Sequence, residues 1–223
     1  MTRRRQSERA RQPGVLATNR IPLFILTILA LCLLGGYLYL SRLYVPPENP
    51  ESRAGVGQSI EYLNLQPLTG DARAVTRADL EGRVVLLNIW GTWCPPCRTE
   101  LPHLSALRGR FAGQEDFQLL AVSYPASQDR EDVDSLRTET SQLLNSLNLD
   151  LPTYYDPNYS LLYNLEETLD FRGFPTTLLL DRRGVIRAVW VGYRPGVETE
   201  MEWHIGRLLS ETPSADSDSS APE

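Results

Sequence analysis

The chain has 223 residues, 42% of them hydrophobic, and a net charge of −6. That is enough for one domain of ordinary size with a packed core, plus appendages. The charge is divided: six arginines and one acid give residues 1–20 a charge of +5, which leaves −11 for residues 21–223 and argues against a nucleic-acid-binding main body.

After the basic arm (residues 1–20), Ile21–Leu40 reads IPLFILTILALCLLGGYLYL, without one charge. A helix of about 20 residues matches a hydrocarbon core of about 30 Å, and Tyr37, Tyr39 and Tyr44 suit the headgroup level at its far end. A single membrane anchor is therefore expected over 21–41, with the arginine arm in the cytoplasm and the main domain outside it. The alternative is a cleaved signal peptide, whose apolar stretch is shorter, about 7–15 residues, and which needs a small-residue cleavage site. Cys32 is expected to be a small apolar residue of the anchor. Residues 42–56, rich in Pro, Gly and polar residues, read as a spacer. Residues 210–223, small, polar and acidic, read as a disordered tail. The body, 57–209, has the size of one domain.

Within the body, IEYLNLQPLTGDARAVT reads as two short strands about a turn at Thr69-Gly70-Asp71. RVVLLNIW (83–90) is a nearly continuous apolar run, as expected for a strand buried on both faces. Leu101, Leu104, Leu107 and Phe111 then form a helical stripe. FQLLAVSY (117–124) reads as a second buried strand, and Val133, Leu136, Leu143, Leu144 and Leu147 as an amphipathic helix with Asp129 or Asp132 as its cap. PTTLLLDRRGVIRAVWVGY reads as a hairpin, and roughly 197–209 as a closing helix. The expected fold class is α/β, with a central mixed sheet flanked by helices.

The chemistry centres on NIWGTWCPPCRTELP (88–102), where Cys94 and Cys97 stand between a buried strand and a helix. A structural zinc site needs four Cys or His ligands, and outside the pair the chain has only Cys32, His103 and His204, so no metal is expected. A disulfide closing so small a loop stabilises little, which weakens a purely structural staple. A redox pair uses every feature. A helix N-terminus offers unpaired N–H groups and the positive end of the macrodipole, which favour a thiolate, the species that attacks disulfides. Cys94 is thus expected to be the exposed nucleophile and Cys97 the shielded resolving thiol. Pro95 fits the first helical turn, where its absent N–H costs nothing; Pro96 also lacks an N–H, so the Cys94 thiolate loses one possible donor and depends more on the Cys97 amide.

WCPPC after a buried strand, with FPTTLLLD some eighty residues later, resembles the thioredoxin fold. DLEGRVVLLNIWGTWCPPCRTELPHL resembles more narrowly the membrane-anchored, extracytoplasmic TlpA/ResA/CcmG group, over roughly 57–209. The resemblance implies a thioredoxin-like fold with an N-terminal hairpin extension and a central insertion between Asp129 and Asp170. It implies that Cys94 and Cys97 are the redox pair, with no cofactor beyond their disulfide. It makes Pro175 a cis-proline beside that disulfide, Phe174 the residue whose backbone pairs with a client, and Glu100 the acid that handles the proton of Cys97. Asn88 occupies the place of the buried aspartate of general thioredoxins and cannot titrate, which leaves proton handling to Glu100 or water. Trp93 is expected to shape the client surface, whereas Trp90, Tyr154, Tyr155, Trp203 and His204 read as packing or surface residues. The implied activity is that of a protein-disulfide reductase on the periplasmic side of a bacterial inner membrane. Its electrons would come from a transmembrane thiol carrier, and apocytochrome c is one candidate client. The alternatives are a peroxiredoxin-like peroxide reductase and a non-enzymatic binding or chaperone module of the same fold.

Overall fold

The computed structural model describes residues 23–43, 49–127, 132–169, 171 and 173–211. Residues 1–47 and 48–223 form two separate units. In the first, helix α1 spans Leu23–Leu43. Among the described residues no helix is long and apolar enough to cross a membrane. The anchor expected over 21–41 extends over residues or side chains outside the described set, as do the basic arm and most of the acidic tail.

The second unit begins earlier than composition suggests. Residues 49–56 were expected to belong to the spacer, yet they pack on the domain. Pro50 is buried in a 3-10 turn capped by Asn49, Val56 lies against the core, and the Gly57 N–H donates to the Ile186 carbonyl. Glu51 fastens this segment by pairing with Arg207.

Strands β1 (Asn64–Thr69) and β2 (Val75–Thr76) form the expected antiparallel pair about the Gly70 turn, where φ is +67°. β3 (Val84–Trp90) leads into helix α2 (Pro95–Arg110), which returns to β4 (Phe117–Ser123), parallel to β3. Helix α3 (Val133–Ser146) starts on Asp132, whose side chain accepts from the Asp134 N–H. β5 (Thr153–Tyr155) and helix α4 (Ser160–Leu169) follow, two elements beyond those expected from the sequence. β6 (Thr176–Leu180) and β7 (Ile186–Val191) form the hairpin, and helix α5 (Val197–Ser210) ends the domain. The seven strands lie in the order β2-β1-β5-β4-β3-β6-β7, a mixed sheet as expected.

Strand periodicity sorts the core into two layers, because successive side chains point to opposite faces. From β3, Val85, Leu87 and Ile89 enter the layer that contains Leu161, Leu165 and Leu169 of α4. Val84, Leu86 and Trp90 enter the other, with Leu101, Leu104 and Leu107 of α2 and Met201, Ile205 and Leu208 of α5. With both faces covered, all seven β3 residues are buried, which explains the unbroken apolar run. Asn88 is the exception in that run, and its even position puts it on the α2 face.

Candidate active site

Cys94 and Cys97 form a disulfide at the carboxyl end of β3, where open α/β sheets place their sites. Cys94 is the N-cap of α2, with Pro95 and Pro96 in the first turn. The Cys97 N–H donates to Cys94 Sγ at 3.2 Å, the backbone donor that the two prolines cannot supply. The expected exposure of Cys94 needs correction. In the disulfide form Cys94 is 2% exposed and Cys97 0%, so both sulfurs are covered. The cause is tertiary: both belong to the α2-side core with Trp90, and Phe174 packs against that core from eighty residues away.

Phe174–Pro175 is a cis peptide bond, and Pro175 is buried. Phe174 is the centre of an aromatic group. Trp93 meets it edge-on at 5.1 Å, Phe171 at 5.4 Å and Tyr124 at 6.0 Å between ring centroids. Trp93 remains 43% exposed, while its indole N–H donates to the Tyr124 carbonyl at 3.1 Å. Tyr124 is fixed in turn by its hydroxyl, which donates to buried Asp156, the acceptor of two N–H groups at the start of α4. The structure thus joins Trp93 and Phe174 into one half-open aromatic surface at the end of the sheet bearing the disulfide.

Gly91 makes this possible. A Cβ there would lie 2.5 Å from Trp93 Nε1 and 2.8 Å from the Tyr124 carbonyl oxygen. Gly91→Ala is therefore expected to expel the indole, break its hydrogen bond and lower stability by about 1–3 kcal/mol. Tryptophan fluorescence and urea unfolding would read both effects.

Glu100, one turn after Cys97, is 2% exposed and shares a helix face with it. Its carboxylate accepts from Asn88 Nδ2 at 3.0 Å, and the same Nδ2 also lies 2.8 Å from Thr177 Oγ1. Thr177 is the register partner of Asn88 across β3 and β6, so the pair meets on the face toward α2. Burial is the main force on Glu100 and raises its pKa from 4.5 to about 7, against the opposing effect of the Asn88 and Thr177 hydrogen bonds. A nearby carboxylate, Glu198, adds to the rise. Near neutral pH the group can therefore both accept and release a proton. Asn88 and Glu100 each stand out in the sequence, but their bond to each other, the Thr177 contact and the charge of Glu198 acting on Glu100 appear only in the structure. Among the described residues no group of three or more His, Cys, Asp or Glu side chains could hold a metal ion.

Comparison with known proteins agrees with this geometry. Residues 56–189 match the AhpC/TSA family. The thiol:disulfide interchange protein DsbE of Pseudomonas aeruginosa is 31% identical over 176 residues, which cover 77% of this chain and 82% of that protein. The thiol-disulfide oxidoreductase ResA of Halalkalibacterium halodurans is 27% identical over 170 residues, 76% of this chain and 84% of that protein. A crystal structure described as a DsbE-type thiol:disulfide interchange protein from Chlorobium tepidum superposes with a TM-score of 0.54 at 26% identity, covering 69% of this chain and 97% of that one. With its disulfide at the head of α2 in a thioredoxin-like sheet, the chain belongs to the AhpC/TSA family and to its ResA- and DsbE-like thiol–disulfide oxidoreductases.

Proposed function

We propose that this enzyme is a membrane-tethered reductase that works outside the cytoplasm and passes electrons from a transmembrane thiol carrier to disulfides of client proteins, with apocytochrome c as a candidate client. The observation that carries the reading is the Cys94–Cys97 disulfide at a helix N-terminus, followed one turn later by a buried carboxyl with a pKa of about 7. The uncharged stretch 21–40 behind an arginine arm supports the tether and its orientation.

In the reducing half-cycle the Cys94 thiolate attacks one sulfur of the client disulfide. A Cys94–client bond forms, the client S–S bond breaks, and the departing client thiolate takes up a proton. Cys97 gives its proton to the Glu100 carboxylate, and its thiolate attacks Cys94 Sγ. The Cys94–Cys97 bond forms, the second client sulfur leaves as a thiolate, and two electrons have passed from enzyme to client. Trp93 and Phe174 would offer the aromatic surface against which an extended client segment lies, beside Pro175.

Trapping tests the scheme. A Cys97→Ser variant can form the mixed disulfide but cannot resolve it, so clients are expected to remain bound through Cys94 and to be released by dithiothreitol. A reduced Cys97→Ser protein that forms no adduct with any disulfide-bearing protein of the extracytoplasmic fraction would overturn the scheme. The direction rests on the reduction potential, since about 30 mV corresponds to 1.4 kcal/mol for two electrons; a measured value above about −180 mV would make the enzyme an oxidant.

A further inference from the structure

Each turnover moves protons as well as electrons, yet Glu100 is sealed from solvent at 2% exposure. A buried carboxyl that changes protonation in every cycle needs a path to bulk water. The groups around it are Asn88 on β3, Thr177 on β6, Cys97 and His103 on α2, Tyr193 in the loop after β7, and Glu198 in the first turn of α5. Asn88 and Thr177 cannot titrate. The other side of Glu100 is different.

His103 is one turn beyond Glu100 on α2 and its side chain is 42% exposed. Its Nδ1 lies 3.6 Å from Glu198 Oε1, and its ring stacks on Tyr193 at 5.5 Å with an interplanar angle of 21°. The second oxygen of Glu198, Oε2, is buried and has no hydrogen-bond partner. An unmet carboxylate oxygen in a buried position is costly unless it serves a purpose. Tyr193 feels both carboxylates: burial first, then Glu198 and Glu100, hold its phenol above the usual range. Among the arginines of α2 and of the loop before α5, Arg110 pairs with Glu202 at 3.1 Å and Arg194 with Glu200, while Arg98 is exposed. One edge of the group is thus at Glu100 and the other, His103, is in water.

We propose that Glu198 and His103, with the Tyr193 phenol beside them, are the positioning residues through which Glu100 exchanges its proton with solvent. The inference rests on the reading of Glu100 as the proton carrier of Cys97. When the enzyme reduces a client, the proton that Cys97 leaves on Glu100 passes toward Glu198 and leaves through the His103 imidazole. When the enzyme is itself reduced, a proton enters by the reverse route and returns to Cys97. No oxidant or reductant beyond the thiol partners is needed, and Glu198 and His103 are unchanged at the end of a cycle.

The test measures thiol–disulfide exchange of the full chain with oxidised glutathione against pH, in dilute buffer and again with added imidazole. In dilute buffer Glu198→Gln and His103→Gln are expected to slow exchange about tenfold near neutral pH, and imidazole is expected to restore His103→Gln by taking the place of the missing ring beside Glu198. Glu198→Gln should also move the pH midpoint to lower values, because Glu198 raises the pKa of Glu100. A residue that merely packs would show neither imidazole rescue nor a shifted midpoint. If both variants match the parent in dilute buffer while Glu100→Gln alters the pH profile, the route is wrong and the Glu100 reading stands. If Glu100→Gln leaves the profile unchanged, the Glu100 reading fails and the route fails with it. Slowed exchange of His103→Gln that imidazole does not restore would also overturn the route.

Discussion

Glu100→Gln is expected to stabilise the oxidised protein by about 3 kcal/mol at about pH 8.5 and to leave its stability almost unchanged at about pH 4. The sign follows from proton counting. Burial raises the carboxyl from 4.5 to about 7, so between those values the folded protein keeps a proton that the unfolded chain has released. Stability therefore falls as pH rises through that window and stays reduced above it. Glutamine removes the ionisation while its carbonyl oxygen can still accept from Asn88 Nδ2, so the penalty disappears and the hydrogen bond need not. Urea unfolding at the two pH values checks this; equal effects at both would mean that Glu100 titrates normally. The same substitution is expected to slow resolution of the mixed disulfide by about a hundredfold and to flatten its pH dependence near neutrality. A variant that is both more stable and less active would show that this site stores free energy for function.

The parts of this site differ in how far the sequence reveals them. The order of strand, cysteine pair and helix follows from local pattern: an apolar run, two prolines that suit a first turn, and leucines at helical spacing. The donor to Cys94 Sγ was deducible because removing the N–H groups of Pro95 and Pro96 leaves the Cys97 amide. The burial of Cys94 was not, because it lies in a core assembled from β3, α2, β6, β7 and α5, elements distant in the sequence. Strand β5 was missed since it has only three residues, Thr153–Tyr155, too few to show a period. Helix α4 did carry a signal in Leu161, Leu162, Leu165 and Leu169, but it lies in a segment that the family resemblance marks only as an insertion. Residues 49–56 look like a linker by composition, and only the burial of Pro50 and the pairing of Glu51 reveal them as part of the domain. The bond between Asn88 and Glu100 needed the pairing of β3 with β6 and the packing of α2 on that face, information that neither residue carries alone.

That bond yields the second large expectation. Asn88→Asp restores the buried aspartate that general thioredoxins have, but here it would face a carboxyl 3.0 Å away. Two carboxylates at that separation cannot both ionise in a buried site; one must keep its proton or the structure must open. In acid the pair can share a proton by a hydrogen bond, and the loss should be small. As pH rises and the second proton is forced off, the variant is expected to lose about 3–5 kcal/mol relative to the parent, the range found when a buried charge is left without compensation. Unfolding in urea at about pH 4.5 and about pH 9 separates this from simple misfit, which would destabilise equally at both values. Combining Asn88→Asp with Glu100→Gln removes the second carboxyl and should restore most of the stability in alkali, as expected for two groups that interact directly. If the double variant stays as weak as the single one, the two side chains are not coupled. If it recovers, the site tolerates one buried acid on either β3 or α2, and Asn88 is the amide that allows the acid to sit on the helix beside Cys97.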